Sequence, residues 1–249
     1  MQQIEGMYKM KKKIMTFIEI VLIIVFLFSC YKIFSKLHEY KTDGKTYDAV
    51  RQEYIEEIQK SPENIDYKGI FDRLKGINGD YKGWITVENT DIDYPIVQGT
   101  DNDFYLKHDF NKNESISGCV FMDYLNEEGK DDNTVIYGHN MRNGSMFSKL
   151  QKFKENEFFN QNNKVIIKDE NGEHTYEVFS VYVLKPGDKL GKINYSSKEE
   201  FDEYVKLIKN KSFYTNDVKV EKGDKILTLV TCTYEIDDAR TIVHAKLVK

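Results

Sequence analysis

One cysteine and one arginine in the C-terminal part of the chain stand where they could do chemistry together. Cys232 ends an apolar, β-branched run that begins at Ile226, and Arg240 opens a second such run after a polar loop. Two adjacent strands joined by a short loop would bring the thiol and the guanidinium to one end of a sheet. A thiolate is a nucleophile, and a fixed guanidinium can hold a carbonyl oxygen that gains negative charge. The pair therefore indicates acyl transfer.

Such a thiol needs a base, and His139 is the histidine best placed to be one. It directly follows a strand-like segment, 133–137, that ends on Gly138. The end of a strand is a rigid mount, and the glycine lets the backbone turn or approach closely. The competing interpretation is a loop histidine that only forms a structural hydrogen bond. The other four histidines lie in a stalk, a polar loop, a turn and a strand interior: His38, His108, His174 and His244.

The chain begins with a lysine-rich segment, 1–13, followed by an apolar run over 14–34. Those 21 residues make about 31 Å of helix, which is enough to cross a bilayer. The lysines predict a cytoplasmic N-terminus, with the rest of the chain outside the cell, so we expect a single-pass cell-membrane protein. A cleaved signal peptide is disfavoured because no Ala-x-Ala-like site follows the run. Cys30 also leaves open a lipoprotein-type processing site.

Beyond this anchor, the pattern predicts a stalk over 35–46, a helical extension over 47–78 and a main domain over 79–249. Helices are expected at 47–60, 67–74, 146–153 and 197–209, from apolar residues at helical spacing. Eight strands are expected at 84–87, 92–97, 119–122, 134–137, 164–168, 175–184, 225–233 and 241–248. Many short strands with few helices are typical of a closed or nearly closed β-barrel. The fold class is therefore mainly β with added helices.

Charge and cysteine content exclude several classes of function. The formal net charge is −5, and residues after 35 carry most of the acidity, which argues against a nucleic-acid partner. The three cysteines are too few for a disulfide framework or a zinc site, and Cys119 is interpreted as a small buried hydrophobe. Asp237 and Asp238 could orient His139, although adjacent loop carboxylates are more often solvated. No regular ligand spacing is present, so no metal or other cofactor is predicted.

Several ordered segments can be compared with known families: Thr228-Leu-Val-Thr-Cys232 with Arg240, Tyr137-Gly-His-Asn140 followed by Met146-Phe-Ser-Lys-Leu150, Gly83-Trp-Ile, Asp93-Tyr-Pro-Ile-Val, Asp101-Asn-Asp-Phe-Tyr-Leu106 and Gly118-Cys-Val-Phe-Met-Asp123. Together they resemble the sortases, and within them class B. The likeness runs from about residue 47 onward. Class B is favoured by the helical extension and by the long insertion that carries the 197–209 helix.

The resemblance implies an eight-stranded sortase-type barrel and a cysteine transpeptidase of Gram-positive cell surfaces. Such an enzyme cleaves a C-terminal sorting signal, an Asn-Pro-Gln-Thr-Asn-like pentapeptide, after its threonine. It holds the acyl group as a thioester and passes it to an amine of a cell-wall peptide or peptidoglycan precursor, which anchors surface proteins. His139, Cys232 and Arg240 would be catalytic, and Asn102 and Leu106 would line the substrate groove.

The sequence departs from some class B enzymes in the expected groove. Val230 and Thr233 replace a polar and an acidic residue that contact the peptide, and 186–191 lacks wall-forming aromatics. The exact pentapeptide therefore stays open. Two other functions also stay open. One is an exported cysteine protease or amidase that uses water as acceptor, and the other is a membrane-tethered binding domain without catalysis.

Overall fold

Eight strands form a closed barrel in the computed structural model, which describes residues 2–60, 62–127, 129–161 and 164–249. The order around the barrel is β1-β2-β3-β4-β7-β8-β6-β5, and β5 pairs with β1 to close it. The strands are β1 Tyr81–Val87, β2 Asp93–Val97, β3 Val120–Met122, β4 Asn133–Tyr137, β5 Lys164–Asp169, β6 Gly172–Leu184, β7 Ile226–Cys232 and β8 Arg240–Leu247. The predicted fold class is confirmed, and the strand ends either match the prediction or differ from it by at most three residues.

Two neighbouring pairs in the barrel are parallel, β2 with β3 and β4 with β7. The second pair matters for function because it joins segments that are far apart in the sequence. Asn133 lies opposite Ile226, and Tyr137 lies opposite Val230. β7 also pairs with β8 in an antiparallel hairpin, so β7 sits between the strand before His139 and the strand that starts at Arg240.

Besides the strands, the described residues form four α-helices and two 3₁₀ helices. The α-helices are α1 Gln2–Lys60, α2 Tyr67–Ile77, α3 Asn156–Asn160 and α4 Lys198–Lys211, and the 3₁₀ helices are Phe104–Leu106 and Phe147–Lys154. Ser197 caps α4 by accepting a hydrogen bond from the Glu200 amide. The apolar face of α4 is buried, as its spacing predicts. The predicted helix at 146–153 is a 3₁₀ helix instead.

The expected stalk at 35–46 is helical, because α1 runs without a break to Lys60. No proline interrupts this stretch, and Tyr47, Val50 and Tyr54 give the following turns an apolar face that is buried. Ser61, where the sequence predicts the end of the helix, lies outside the described residues. The chain forms two compact units, 1–42 and 43–249, so the predicted domain boundaries stay predictions.

Each unit has its own character. In the first, one helix is long and apolar enough to cross a membrane, with mean hydropathy 2.5 in its most apolar window. In the second, residues 43–60 of α1 pack on the barrel. The Tyr54 ring stacks on Trp84 with 4.2 Å between ring centroids, and Arg51 Nε donates to Asp93 Oδ2 at 2.8 Å. The start of the barrel domain is thus held by a helix that the sequence places before it.

Candidate active site

Cys232 and Arg240 form the last pair of the β7–β8 hairpin. They are direct partners in the antiparallel register, so their side chains project from the same face of the sheet. Directly opposed residues have Cβ atoms about 4.5–5.5 Å apart. The other residues of β7 are buried, whereas Cys232 and Arg240 are exposed. The structure thus brings a solvent-accessible thiol and a guanidinium together, as the sequence predicts.

His139 reaches the same rim from the other side of β7. The Gly138 amide donates to the Val230 carbonyl at 3.1 Å and extends the parallel β4–β7 ladder by one bond. His139 and Asn140 follow, and Asn140 Nδ2 donates to the Cys232 carbonyl at 3.0 Å. These two residues are 92 positions apart in the sequence. The three predicted catalytic residues therefore lie at the ends of three adjacent strands.

A main-chain carbonyl fixes the orientation of the His139 ring. Nε2 lies 2.7 Å from the carbonyl oxygen of Leu106. A carbonyl can only accept a hydrogen bond, so Nε2 must carry a proton. In the neutral ring Nδ1 is then the nitrogen with a free lone pair, which is the one able to take a proton. The sequence raised Asp237 or Asp238 as the orienting group, but in the structure that partner is the Leu106 carbonyl.

Two glycines let the histidine segment pack this tightly. Gly118 has φ +58°, and a Cβ there would lie 2.6 Å from the Tyr105 carbonyl oxygen and 3.1 Å from His139 Cδ2. At Gly138, a Cβ would lie 2.6 Å from the Phe147 ring. The Phe147 amide in turn donates to the His139 carbonyl at 2.9 Å. Any side chain at either glycine would therefore displace the groups that hold His139.

Asn102, which the sequence predicts in the groove, uses its amide to hold a turn of the protein itself. Nδ2 donates to Asp123 Oδ2 at 2.9 Å, and Oδ1 accepts from the Tyr124 amide at 3.0 Å. Leu106 is half-buried, and its carbonyl serves His139 as described above. Both residues flank the histidine segment. Their contact with a substrate stays a prediction.

The turn that Asn102 holds is linked to the arginine side of the site. Tyr137 donates its hydroxyl hydrogen to Asp123 Oδ2 at 2.8 Å. Burial raises the pKa of the Tyr137 hydroxyl, the Asp123 carboxylate raises it further, and the positive charge of Arg240 acts in the opposite direction. The guanidinium is therefore close enough to Tyr137 to act on it. In the sequence, Tyr137 and Asp123 are recognisable only as members of motifs, and no function was predicted for either.

The two cysteines of the barrel unit differ sharply. Cys119 is buried, and burial raises the pKa of its thiol to about 12. Cys232 is exposed at the rim. Of the two, only Cys232 is therefore placed to react with a substrate. Within the described residues, no group of three or more His, Cys, Asp or Glu side chains could hold a metal ion.

Comparison with known proteins gives one consistent result. The family model for the sortase domain matches residues 85–248. Sortase B of Listeria monocytogenes is 35% identical over 227 residues, which cover 90% of this chain and 92% of that protein. The crystal structure of Clostridium perfringens sortase B matches with a TM-score of 0.70 and 45% identity, covering 72% of this chain and 99% of that one. A Staphylococcus aureus sortase B–substrate complex matches with a TM-score of 0.78 and 29% identity, covering 85% and 98%.

Proposed function

This chain belongs to the sortase family, in its class B, and from that membership we propose that it is a membrane-anchored enzyme that fixes surface proteins to the cell wall. Its substrate is a C-terminal sorting signal, an Asn-Pro-Gln-Thr-Asn-like pentapeptide that is cut after its threonine. The acyl acceptor is an amine of a cell-wall peptide or peptidoglycan precursor. One observation carries the proposal: Cys232 and Arg240 are opposed at the end of a hairpin, beside the strand end that presents His139.

In the first half-reaction, Cys232 Sγ attacks the threonine carbonyl carbon. The thiol proton passes to His139 Nδ1, while Nε2–H stays on the Leu106 carbonyl and steadies the charged ring. The carbonyl π electrons move to oxygen, and Arg240 stabilises the resulting oxyanion. When the tetrahedral intermediate collapses, the C–N bond breaks. The leaving amine takes the proton from His139, and a thioester remains on Cys232.

In the second half-reaction the acceptor amine attacks the thioester carbon. His139, neutral again, takes a proton from the attacking nitrogen, and Arg240 stabilises the second oxyanion. Cys232 leaves as the thiolate and recovers a proton from His139. The product has a new amide bond between the threonine and the acceptor, so the enzyme returns to its starting state without any cofactor.

Hydrolysis is the competing outcome, because water could resolve the same thioester. Mixing the full-length protein in detergent with a sorting-signal peptide, with and without an amine acceptor such as triglycine, separates the two. A product that contains triglycine supports transfer. Cleavage whose rate and product do not respond to the amine would assign a cysteine protease or amidase instead. A Cys232→Ala variant should form neither product, and the absence of cleavage by the wild-type protein would favour a binding domain.

The exact pentapeptide depends on groove residues in which this chain departs from some class B enzymes. Val230 is buried, and the Thr233 hydroxyl accepts a hydrogen bond from Lys154 Nζ at 3.1 Å. Val230 has no polar group and Thr233 carries no charge, so neither side chain offers a peptide the acidic group that some class B enzymes have there. We therefore infer that the enzyme accepts several different side chains at the second and third positions of the pentapeptide. A peptide library varied at the second and third positions tests this, and a strict preference at both would contradict it.

Anchoring follows from the apolar helix and the lysines before it. We place the N-terminus in the cytoplasm and the barrel unit outside, because basic residues stay on the cytoplasmic side. Protease treatment of intact cells should degrade the barrel unit and spare an N-terminal epitope tag. Protection of the barrel unit would reverse the topology, and release of the intact protein into the medium would show cleavage of the helix.

A further inference from the structure

The carbonyl of the nucleophile, Cys232, accepts hydrogen bonds from two side-chain amides that come from different segments. Asn140 Nδ2 donates to it at 3.0 Å, and Gln151 Nε2 donates to it at 3.1 Å. A carbonyl oxygen has two lone pairs, so both are used. The peptide plane that leaves Cys232 is therefore held on two sides, although the strand ends at this residue.

Asn140 takes the place of a missing strand donor. The Val230 carbonyl accepts from the Gly138 amide of the neighbouring segment, at 3.1 Å. Carbonyls two residues apart on a strand point to the same neighbour, so the Cys232 carbonyl faces the segment after β4. There the chain has turned away at His139, and the Asn140 side chain supplies the donor. This bond fixes the position of the Cys232 main chain, and so of its thiol, relative to His139, the proposed catalytic histidine that precedes Asn140.

Gln151 links Cys232 to β8, the strand that begins with Arg240, through a second side-chain amide. Its Oε1 accepts a hydrogen bond from the Thr241 hydroxyl at 3.0 Å, while its Nε2 donates to the Cys232 carbonyl. Thr241 is fully buried and directly follows Arg240. Because one amide is bonded at both ends, neither strand end can shift along the other without breaking a bond. The 3₁₀ helix Phe147–Lys154, which carries Gln151, thus braces the end of the hairpin.

Three further contacts tie the loop after Cys232 to the same segments. The Tyr234 hydroxyl donates to the Asn140 carbonyl, and its ring lies 5.6 Å from the Arg142 guanidinium. Lys154, one turn beyond Gln151 in the 3₁₀ helix, donates to Glu235 Oε1 at 2.9 Å. The segment 140–142 and the 3₁₀ helix therefore hold the end of β7 in two places, at the Cys232 carbonyl and in the loop that follows Cys232.

We propose that Asn140 and Gln151 are positioning residues, which hold the Cys232 main chain in register with His139 and Arg240 for acyl transfer. The inference rests on the function proposed above, and neither amide touches the reacting atoms. Misplacing a reacting group by about 1 Å can cost roughly 100-fold in rate. Loss of either amide should therefore lower the rate of the chemical step more than it lowers stability or substrate binding.

The test compares Asn140→Leu and Gln151→Met with Asn216→Leu in the full-length protein. Asn216 is a matched control, since its Nδ2 also donates to a strand carbonyl, that of Val178, at 2.8 Å, and its Oδ1 also accepts. We expect kcat for peptide transfer to fall by about 10- to 100-fold in both positioning variants, with KM within about twofold. Asn216→Leu should lose similar thermal stability and keep its kcat. Equal kcat values in all three variants, or losses that merely follow Tm, would overturn the proposal.

Three more variants and one further readout keep the test decisive. Gln151→Glu retains the acceptor for Thr241 but removes the donor to Cys232, so it should fold and still be slow. Thr241→Ser should keep the wild-type rate, whereas Thr241→Val should not. Alkylation of Cys232 by iodoacetamide at pH 7, followed by peptide mass spectrometry, needs no sorting signal. If the wild type transfers no peptide, the proposed function fails. In that case the alkylation rates decide on positioning: slower alkylation of Cys232 in the Asn140 and Gln151 variants alone would still support it, and equal alkylation rates in all variants would refute it.

Discussion

His244 is a buried histidine whose cost in stability should grow as the pH falls. It lies on β8 and is fully buried, with Nδ1 2.8 Å from the Thr228 hydroxyl and Nε2 3.2 Å from the Tyr182 hydroxyl. The Thr228 hydroxyl donates to Asn133 Oδ1 at 2.6 Å, so it must accept from Nδ1–H. Tyr182 is then the donor to Nε2. The ring is neutral in this network, and burial lowers its pKa to about 3.

The sign and size of the effect follow from that pKa. In the unfolded chain a histidine has a pKa of about 6.5. Between that value and the folded value of about 3, the unfolded chain binds a proton that the folded protein does not. The folded state therefore loses stability as the pH falls through this window, by about 1.4 kcal/mol per pH unit. At pH 5 the loss due to this one ring is about 2 kcal/mol relative to neutral pH.

His244→Gln provides the test, because the amide keeps one donor and one acceptor but does not titrate. Urea unfolding of both proteins at pH 7 and pH 5 can be followed through Trp84, the single tryptophan, which is fully buried. The quantity compared is the change in unfolding free energy between the two pH values, which does not depend on the stability from which each protein starts. We expect that change to be about 2 kcal/mol smaller than in the wild type. Equal changes in the two proteins would refute the assignment of a neutral buried ring.

Three other predictions follow from the site. Arg240→Lys should keep the fold and lower kcat by roughly 10²- to 10³-fold, as when an oxyanion donor is lost, and circular dichroism with peptide kinetics checks both parts. Gly118→Ala should slow transfer by about 10-fold or more, because the new Cβ would lie only 2.6 and 2.9 Å from two carbonyl oxygens. Gly99→Ala is the control and should keep the wild-type rate, since its Cβ would meet no atom closer than 3.4 Å. Iodoacetamide at pH 8 should label Cys232 in the folded protein and should label Cys119 only after urea is added, because burial raises the pKa of the Cys119 thiol to about 12. Labelling of both cysteines in the folded protein would contradict this.

The strands could be predicted from sequence because each is a short apolar or β-branched run bounded by turn residues. The rim of the β7–β8 hairpin could also be predicted, since a hairpin pairs residues that are close in the chain. The pairing of β4 with β7 could not, because Asn140 and Cys232 are 92 residues apart and nothing local encodes their register. The residue pattern pointed to His139 as the base for Cys232 but gave no strand pairing that brings the two together.

The supporting contacts of the site could not be predicted from the sequence either, for a different reason. Leu106 acts on His139 through its main-chain carbonyl, which every residue has, so its identity gives no signal. Gln151 looks like a polar residue on a surface helix, and its function depends on two segments that meet only in the fold. Asn140 stands beside His139, the proposed catalytic histidine, in a motif, and that neighbourhood was the one available hint.

The position of β8 in the barrel has a consequence for biogenesis. β8 is inserted between β7 and β6, yet it follows every other strand of the barrel along the chain. During synthesis from the N-terminus, β7 therefore emerges before β8, and the sheet cannot close until β8 pairs with both of its neighbours. Pairings between distant segments also form slowly. Under the function proposed above, we expect the nascent polypeptide to be inactive until β8 has paired and to gain activity in a single late step.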